Sequence, residues 1–261
     1  MSDNLNRVVI PYYRLAELYD RIMCHIDYDN WYYRVSSLFA QYYKPISFQD
    51  EELPVVLECA CGTGSMALRM ALQGHRIYAF DKSAEMIAVA LRKCHGLDNP
   101  PQLFQADFLS FELPEPVDLA YCLYDSINYL LEPEEVVQHI NRVAANLKPN
   151  GVFVFDISTV YNSETHFFSS TQNGKVDIYS YTRAMHFDKI ERIQRNHFSI
   201  YQPNGEVYQE EHLQRIYSVE EMRKIIRHSN LELVAEQDLD RMSEPVWNSL
   251  RVNFVCRKGG E

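Results

Sequence analysis

From about residue 53 to residue 158 the chain repeats one figure: a short unbroken apolar run, a turn, then an amphipathic stretch of helical period. The runs are "VVLECA", "RIYAF" ending at Asp81, "PQLFQAD", "VDLAYCLY" and "VFVFDI". Apolar runs without alternation are the mark of strands buried on both faces. Helices are predicted from the turn after the first run to Gln73, over 84–94, and over 133–147 behind Pro133. Strands alternating with helices through short loops imply right-handed crossovers and a parallel sheet covered on both sides. Upstream, Leu15, Leu18, Tyr19, Ile22, Met23 and Ile26 share one helical face and lead into the aromatic "DYDNWYYRV", before a Pro/Glu-rich break at 45–54.

After Tyr161 the period changes. Residues 176–216 alternate with a period of two, interrupted at "FDKI" and "QPNGEV", where Asn204-Gly205 signals a hairpin. A three-stranded antiparallel meander is expected. Ser218 and Glu221 have the spacing of a capping box opening a helix to about Ser229, and "LELVAEQ" and "RVNFVCR" supply two closing strands. The predicted division is an N-terminal helical lid segment (1–50), a doubly wound Rossmann-like core (51–161), a β-meander insert over the active site (162–217) and a C-terminal completion of the core sheet (218–261).

Charge narrows the partners. The formal net charge of −11 disfavours a nonspecific grip on nucleic acid, which needs phosphates neutralised. Arg183, Arg192, Arg195 and Arg215 are the one late basic cluster, and the expected reading is that nearby Asp and Glu pair with them. No stretch approaches the ~18 apolar residues of a membrane span, and "MSDNLNRVVIPYYR" lacks the layout of an export signal, so a cytoplasmic protein is expected. Six cysteines without a Cys-x-x-Cys pair read as buried, reduced thiols, and no metal-ligand cluster is apparent.

The chemistry concentrates at "LECACGTGSM". Gly62 to Ala67 fits the dinucleotide pattern G-x-G-x-x-G/A, and Asp81 stands near the distance of a ribose contact. Taken alone, this keeps a nicotinamide or flavin oxidoreductase open. Glu58 weighs against it: a carboxylate beside a pyrophosphate costs about 1 to 4 kcal/mol at surface-like dielectric. Beside an ammonium group the same carboxylate is favourable. S-adenosyl-L-methionine has such an amino-acid tail, and a ribose whose hydroxyls Asp81 can accept from. The residues themselves also leave room for Glu58 capping the helix near Gly64, for Asp81 capping the helix after Ser83, and for a noncatalytic cofactor-binding interaction module.

Further strand ends add candidates. Asp107 in "QADF" is placed to accept from an adenine amine and Phe108 to cover a ring, while "LYDSINYL" puts Leu123, Tyr124, Asp125 and Asn128 on the carboxyl edge of the sheet, where ligands of open α/β sheets sit. With these residues the chain resembles the class I S-adenosylmethionine-dependent methyltransferases, in a bacterial small-molecule-type branch. That branch has an N-terminal YDxxM…DYxxW segment (here Tyr19, Asp20, Met23, Asp27, Tyr28 and Trp31) and a meander after the fifth strand. The resemblance implies a seven-stranded sheet with an antiparallel last strand. It also implies cofactor contacts at Tyr19, Trp31, Glu58, Ala60, Cys61, Gly62, Gly64, Asp81, Lys82, Met86, Asp107, Phe108 and Leu123, with S-adenosyl-L-homocysteine as product. The family usually has Asp where Glu58 stands, and an apolar residue at Cys59.

Methyl transfer from a sulfonium needs a positioned acceptor and exclusion of water, and a base only if the nucleophile must lose a proton. Tyr19, Asp125 and Asn128 are the catalytic candidates. Tyr161 and His166 rank above His186, His197 and His212, and Tyr124 is a further neighbour. The expected acceptor is a small polar molecule methylated at nitrogen or oxygen; the oligomeric state is not legible.

Overall fold

The computed structural model describes residues 6–44 and 53–260. Most of the break expected at 45–54 lies outside the described residues. The chain opens with strand β1 (Asn6–Val9), helices α1 (Leu15–Ile22) and α2 (Tyr28–Tyr42), and then enters the alternating region. There follow β2 (Val55–Cys59), α3 (Ser65–Leu72), β3 (Arg76–Asp81), α4 (Ala84–Lys93), β4 (Gln102–Gln105), β5 (Val117–Cys122), a 3-10 turn at Ser126–Tyr129, α5 (Pro133–Asn146) and β6 (Leu147–Ser158). After α6 (Val160–His166) come β7 (Ser169–Val176), β8 (Tyr179–Asp188), β9 (Ile193–Tyr201) and β10 (Val207–Arg215), then α7 (Val219–Arg227), β11 (Glu232–Asp238) and β12 (Arg251–Arg257).

Seven strands form one sheet in the order β11-β12-β6-β5-β2-β3-β4. The β6-β5-β2-β3-β4 pairs are parallel, and β12 runs antiparallel to both its neighbours. The unalternated runs are buried on both faces as expected: Leu57, Tyr78, Ala120, Phe153 and Phe155 pack toward α5 and α7, while Val56, Ile77, Leu119, Val152 and Val154 pack toward α2 and α3. This is the doubly wound sheet expected from the pattern.

The rest departs in detail from the expectation. The three-stranded meander is four antiparallel strands, β7 to β10, and β1 joins β10 in parallel to make a five-stranded sheet. β7 ("SSTQNGKV") escaped the sequence because it is an edge strand exposed along nearly all its length, so it needs no apolar alternation. The first helical face is two helices: α1 stops at Ile22, and Asp27 caps α2 by accepting from the Asn30 amide at 2.9 Å. Ser218 and Glu221 form the capping box their spacing suggested. Of the six cysteines, Cys24 is exposed and the other five are buried, and all are free thiols.

Candidate functional site

The glycine turn is shaped by three left-handed residues in alternation: Ala60 (φ 55°), Gly62 (φ 53°) and Gly64 (φ 73°). At Gly64 a side chain has no room, because a Cβ there would lie 2.8 Å from the Ala90 Cβ; this glycine lets α3 dock against α4. At Gly62 nothing lies within 4 Å of a Cβ position, so the backbone faces open space. Asp81 fastens the turn to the next strand end. Its Oδ2 accepts from the Gly62 amide and its Oδ1 from the Ser83 amide, both at 2.9 Å. Ser83 rather than Asp81 caps α4, accepting from the Met86 amide.

Glu58 stands at the end of β2, 5% exposed, and its Oε2 accepts from the Tyr121 hydroxyl at 3.2 Å. Among the described residues no basic group lies within ion-pair distance of it. Burial, only partly offset by the Tyr121 bond, pushes its pKa to about 8. Burial also raises Asp81, against the pull of the Ser83 and Gly62 amides. A cleft opens in front of these residues, bounded by Gly62, Thr63, Leu123 and Tyr124 from the sheet edge and by Tyr19, Tyr28 and Trp31 from α1 and α2. Helix α1 is clamped down on the turn. Asp20 accepts from the Thr63 hydroxyl at 2.5 Å and pairs with Lys93 at 2.7 Å, and Lys93 also donates to Ser65 at 2.7 Å. The cleft suits a cation flanked by a polyol, and among the described residues that line it none is a Lys or Arg for a pyrophosphate.

Residues 56–151 match a protein family described as "Methyltransferase domain". The candidate methyltransferase YqeM of Bacillus subtilis (strain 168) is 28% identical over 251 residues, covering 95% of this chain and 97% of that protein. These matches support reading the chain as a class I S-adenosylmethionine-dependent methyltransferase. Solved structures share the fold. A S-adenosylmethionine-dependent methyltransferase from Clostridium acetobutylicum ATCC 824 superposes with a TM-score of 0.79 at 24% identity, covering 95% of this chain and 99% of the other. The sugar N-methyltransferase KedS8 from Streptoalloteichus sp. superposes at 0.68 with 20% identity, covering 92% of each. These matches favour methyl transfer over the oxidoreductase and the noncatalytic module.

Of the residues anticipated for the methyltransferase's cofactor site, Tyr19, Trp31, Glu58, Ala60, Cys61, Gly62 and Leu123 line the cleft together. Asp81 acts behind it through the Gly62 amide. Gly64 and Met86 are packed between α3 and α4 or in the core rather than on the cleft wall. Lys82 is exposed and pairs with Asp107 at 2.9 Å, and the Phe108 ring packs edge-on against His139, so these three stand at the neighbouring strand ends without lining the cleft.

Two catalytic candidates stand off the cleft wall. Asn128 is fully buried, donates to the Arg215 carbonyl at 2.6 Å and accepts from the Ser158 amide at 3.2 Å. It fastens the turn after β5 to β6 and β10, and does not reach the cleft. Asp125 pairs with Arg251 and accepts from Gln214 at 2.7 Å. Arg251 also holds Asp156 at 2.8 Å and lies over the Tyr124 ring, so Asp125 shapes the cleft wall from behind. Tyr161 sits in a separate cleft against Trp247, and His166, His186 and His197 are exposed. His212 is buried beside Tyr129. Sequence reasoning passed over Thr63, Ser65, Lys93 and the role of Asp20. Asp20 was visible in "YDRIM", but its partners on the turn and α4 are remote in sequence.

Proposed function

We propose that this enzyme transfers the methyl group of S-adenosyl-L-methionine to a nitrogen or oxygen of a small polar acceptor, releasing S-adenosyl-L-homocysteine. The observation that carries the reading is Glu58: a buried carboxylate without a basic partner among the described residues, beside a glycine whose backbone faces open space. An ammonium group there would restore its charged form, the usual answer to a buried acid. Asp81, held by two amides, keeps acceptor capacity for ribose hydroxyls, since a carboxylate has about four lone-pair sites. Asp107 is the partner expected for an adenine amine, and Leu123 and Trp31 give apolar cover. Bound, the cofactor supplies an electrophilic methyl group on a sulfonium, and the protein's task is to aim a lone pair at it and keep water away.

Tyr19 on the cleft wall, with Tyr12 and Tyr129 behind it, has its pKa raised by burial. These phenols keep their protons at neutral pH and orient an acceptor by hydrogen bonds without deprotonating it. A neutral amine needs no base, so nitrogen fits better than a hydroxyl oxygen. KedS8, a sugar N-methyltransferase, gives the same direction. The N-terminal segment would serve as a lid over the cofactor and residues 162–217 as a cover over the acceptor. The test is incubation with methyl-labelled cofactor and either a metabolite extract or a total RNA pool. Label in small molecules is expected; label confined to the RNA would contradict the reading.

A further inference from the structure

The five-stranded sheet turns an unusually polar face inward. Register sets the rows: Arg183 stands opposite Phe198, which stands opposite Glu210; Asn196 stands opposite His212; Gln194 stands opposite Gln214. Apart from the half-buried Arg183, every one of these side chains is buried. The other end of the same face, with Phe198, Ile200 and Tyr208, packs on α1 in the ordinary apolar way. A sheet face that only covered a core would be apolar throughout.

Most of the polar groups are satisfied. Glu210 accepts from the amides of Tyr12, Arg14 and Leu15 at 2.7–3.0 Å, and Gln214 reaches Asp125. Two are not. His212 Nε2 is buried without a hydrogen-bond partner, although Glu210 Oε2 lies 3.4 Å away. Among the described residues Arg183 hydrogen-bonds the Asn196 side-chain oxygen alone, from Nε at 3.0 Å and Nη2 at 2.7 Å, and it lies over the rings of Phe167 and Phe198. No carboxylate pairs with Arg183 among the described residues, whereas Arg192 and Arg195 of the same cluster pair with Glu221 and Glu191. The ionisable groups whose fields it feels are Tyr129, Asp125, Tyr12 and Tyr19, and burial lowers its pKa. Of these, Tyr19 also lines the cofactor cleft.

We propose that Arg183 is the anion-binding residue of the acceptor site, and that the acceptor carries a carboxylate or phosphate oxyanion besides the atom that is methylated. A guanidinium whose Nε and one Nη2 proton are spent on a neutral amide has its remaining donors, and its whole charge, to offer. Asn196 fixes the fork, and the two rings hold its plane. This rests on the methyl-transfer reading only for the name "acceptor"; the anion site is tested without turnover.

The protein, labelled with 15N in its arginine side chains and saturated with S-adenosyl-L-homocysteine, is titrated with acetate in one arm and inorganic phosphate in the other, with sodium chloride as control. The Arg183 Nε signal, assigned by its absence from R183K, should move saturably with an oxyanion and not with chloride, and the tighter arm names the group. In parallel, the labelled fraction recovered from a metabolite extract should be a compound that carries a carboxylate or phosphate group by mass spectrometry. R183Q should lower that fraction by roughly tenfold or more, the size of a lost charged hydrogen bond, with R183K retaining part of it and S-adenosyl-L-homocysteine affinity unchanged. A signal that moves with neither oxyanion overturns the proposal, as does a labelled product that carries neither a carboxylate nor a phosphate. Failure of the methyl-transfer reading looks different: no labelled small molecule, with the Arg183 signal still moving.

Discussion

The two sheets of this protein obey different rules. In the seven-stranded sheet the inner strands are apolar along most of both faces, and their buried acids stand toward strand ends: Glu58 and Asp156 near the carboxyl ends of β2 and β6, Asp118 near the start of β5. In the five-stranded sheet one face is exposed and the other is half apolar, half polar. The first sheet is what burial of apolar surface builds, worth about 25 cal/mol per Å² removed from water. The polar half of the second costs desolvation that hydrogen bonds only offset. A chain retains such a face where something other than its own core is to be met.

That contrast can be broken by exchanging polarity between the sheets. Val154→Asn, in the middle of β6 and fully buried, should cost roughly 3–5 kcal/mol, since it removes apolar contacts and buries an unpaired amide. His212→Phe keeps a ring against Tyr12 and Phe198; it removes the unpartnered Nε2 and gives up the Nδ1 bond to Tyr129, whose hydroxyl still has Tyr12, so it should change stability by no more than about 1 kcal/mol in either direction. Urea unfolding reads both. Equal losses would mean that the polar face is an ordinary part of the fold.

Gly64→Ala sharpens the role of the parallel sheet's turn. A left-handed φ and a 2.8 Å approach to Ala90 predict a loss of about 2–4 kcal/mol, from backbone strain plus overpacking. Adding Ala90→Gly should recover the packing part only. If Gly64→Ala were neutral by thermal unfolding, the close docking of α3 on α4 would be wrong.

How far this was legible in the sequence follows the same division. The parallel strands, the glycine turn, Glu58 and Asp81 could be read because apolar runs, turn residues and strand-end acids are local signals. β1 and β7 could not, since exposed edge strands carry no burial pattern. That Asp125 and Asn128 are held off the cleft wall was not legible for another reason: their partners Arg251 and Arg215 lie 126 and 87 positions away, and no local pattern announces a satisfied acid. Arg183 was grouped with its neighbours by spacing, although pairing sets it apart from Arg192 and Arg195.

A smaller effect separates Glu58 from a structural carboxylate. Glu58→Gln should weaken S-adenosyl-L-homocysteine binding by about 1.5–3 kcal/mol, the range of hydrogen bonds to charged groups, while leaving thermal stability equal or higher. Calorimetric titration checks the first and thermal unfolding the second. Loss of stability with affinity intact would reduce Glu58 to a helix-capping residue.

The most direct measurement counts protons. In the free protein Glu58 titrates near 8, well above the usual carboxylate range, so it holds its proton at neutral pH. For the same reason, its contribution to the stability of the ligand-free protein is lost as pH rises from about 4.5 toward 8. An ammonium group beside it would favour the carboxylate, so binding must release that proton below about pH 8, and affinity must rise with pH up to that point. Calorimetry of S-adenosyl-L-homocysteine binding near neutral pH, in buffers of different ionisation enthalpy, reads the number released. The account predicts a release approaching one proton in the wild type and none in Glu58→Gln. Binding with no proton released, or with one taken up, would contradict it.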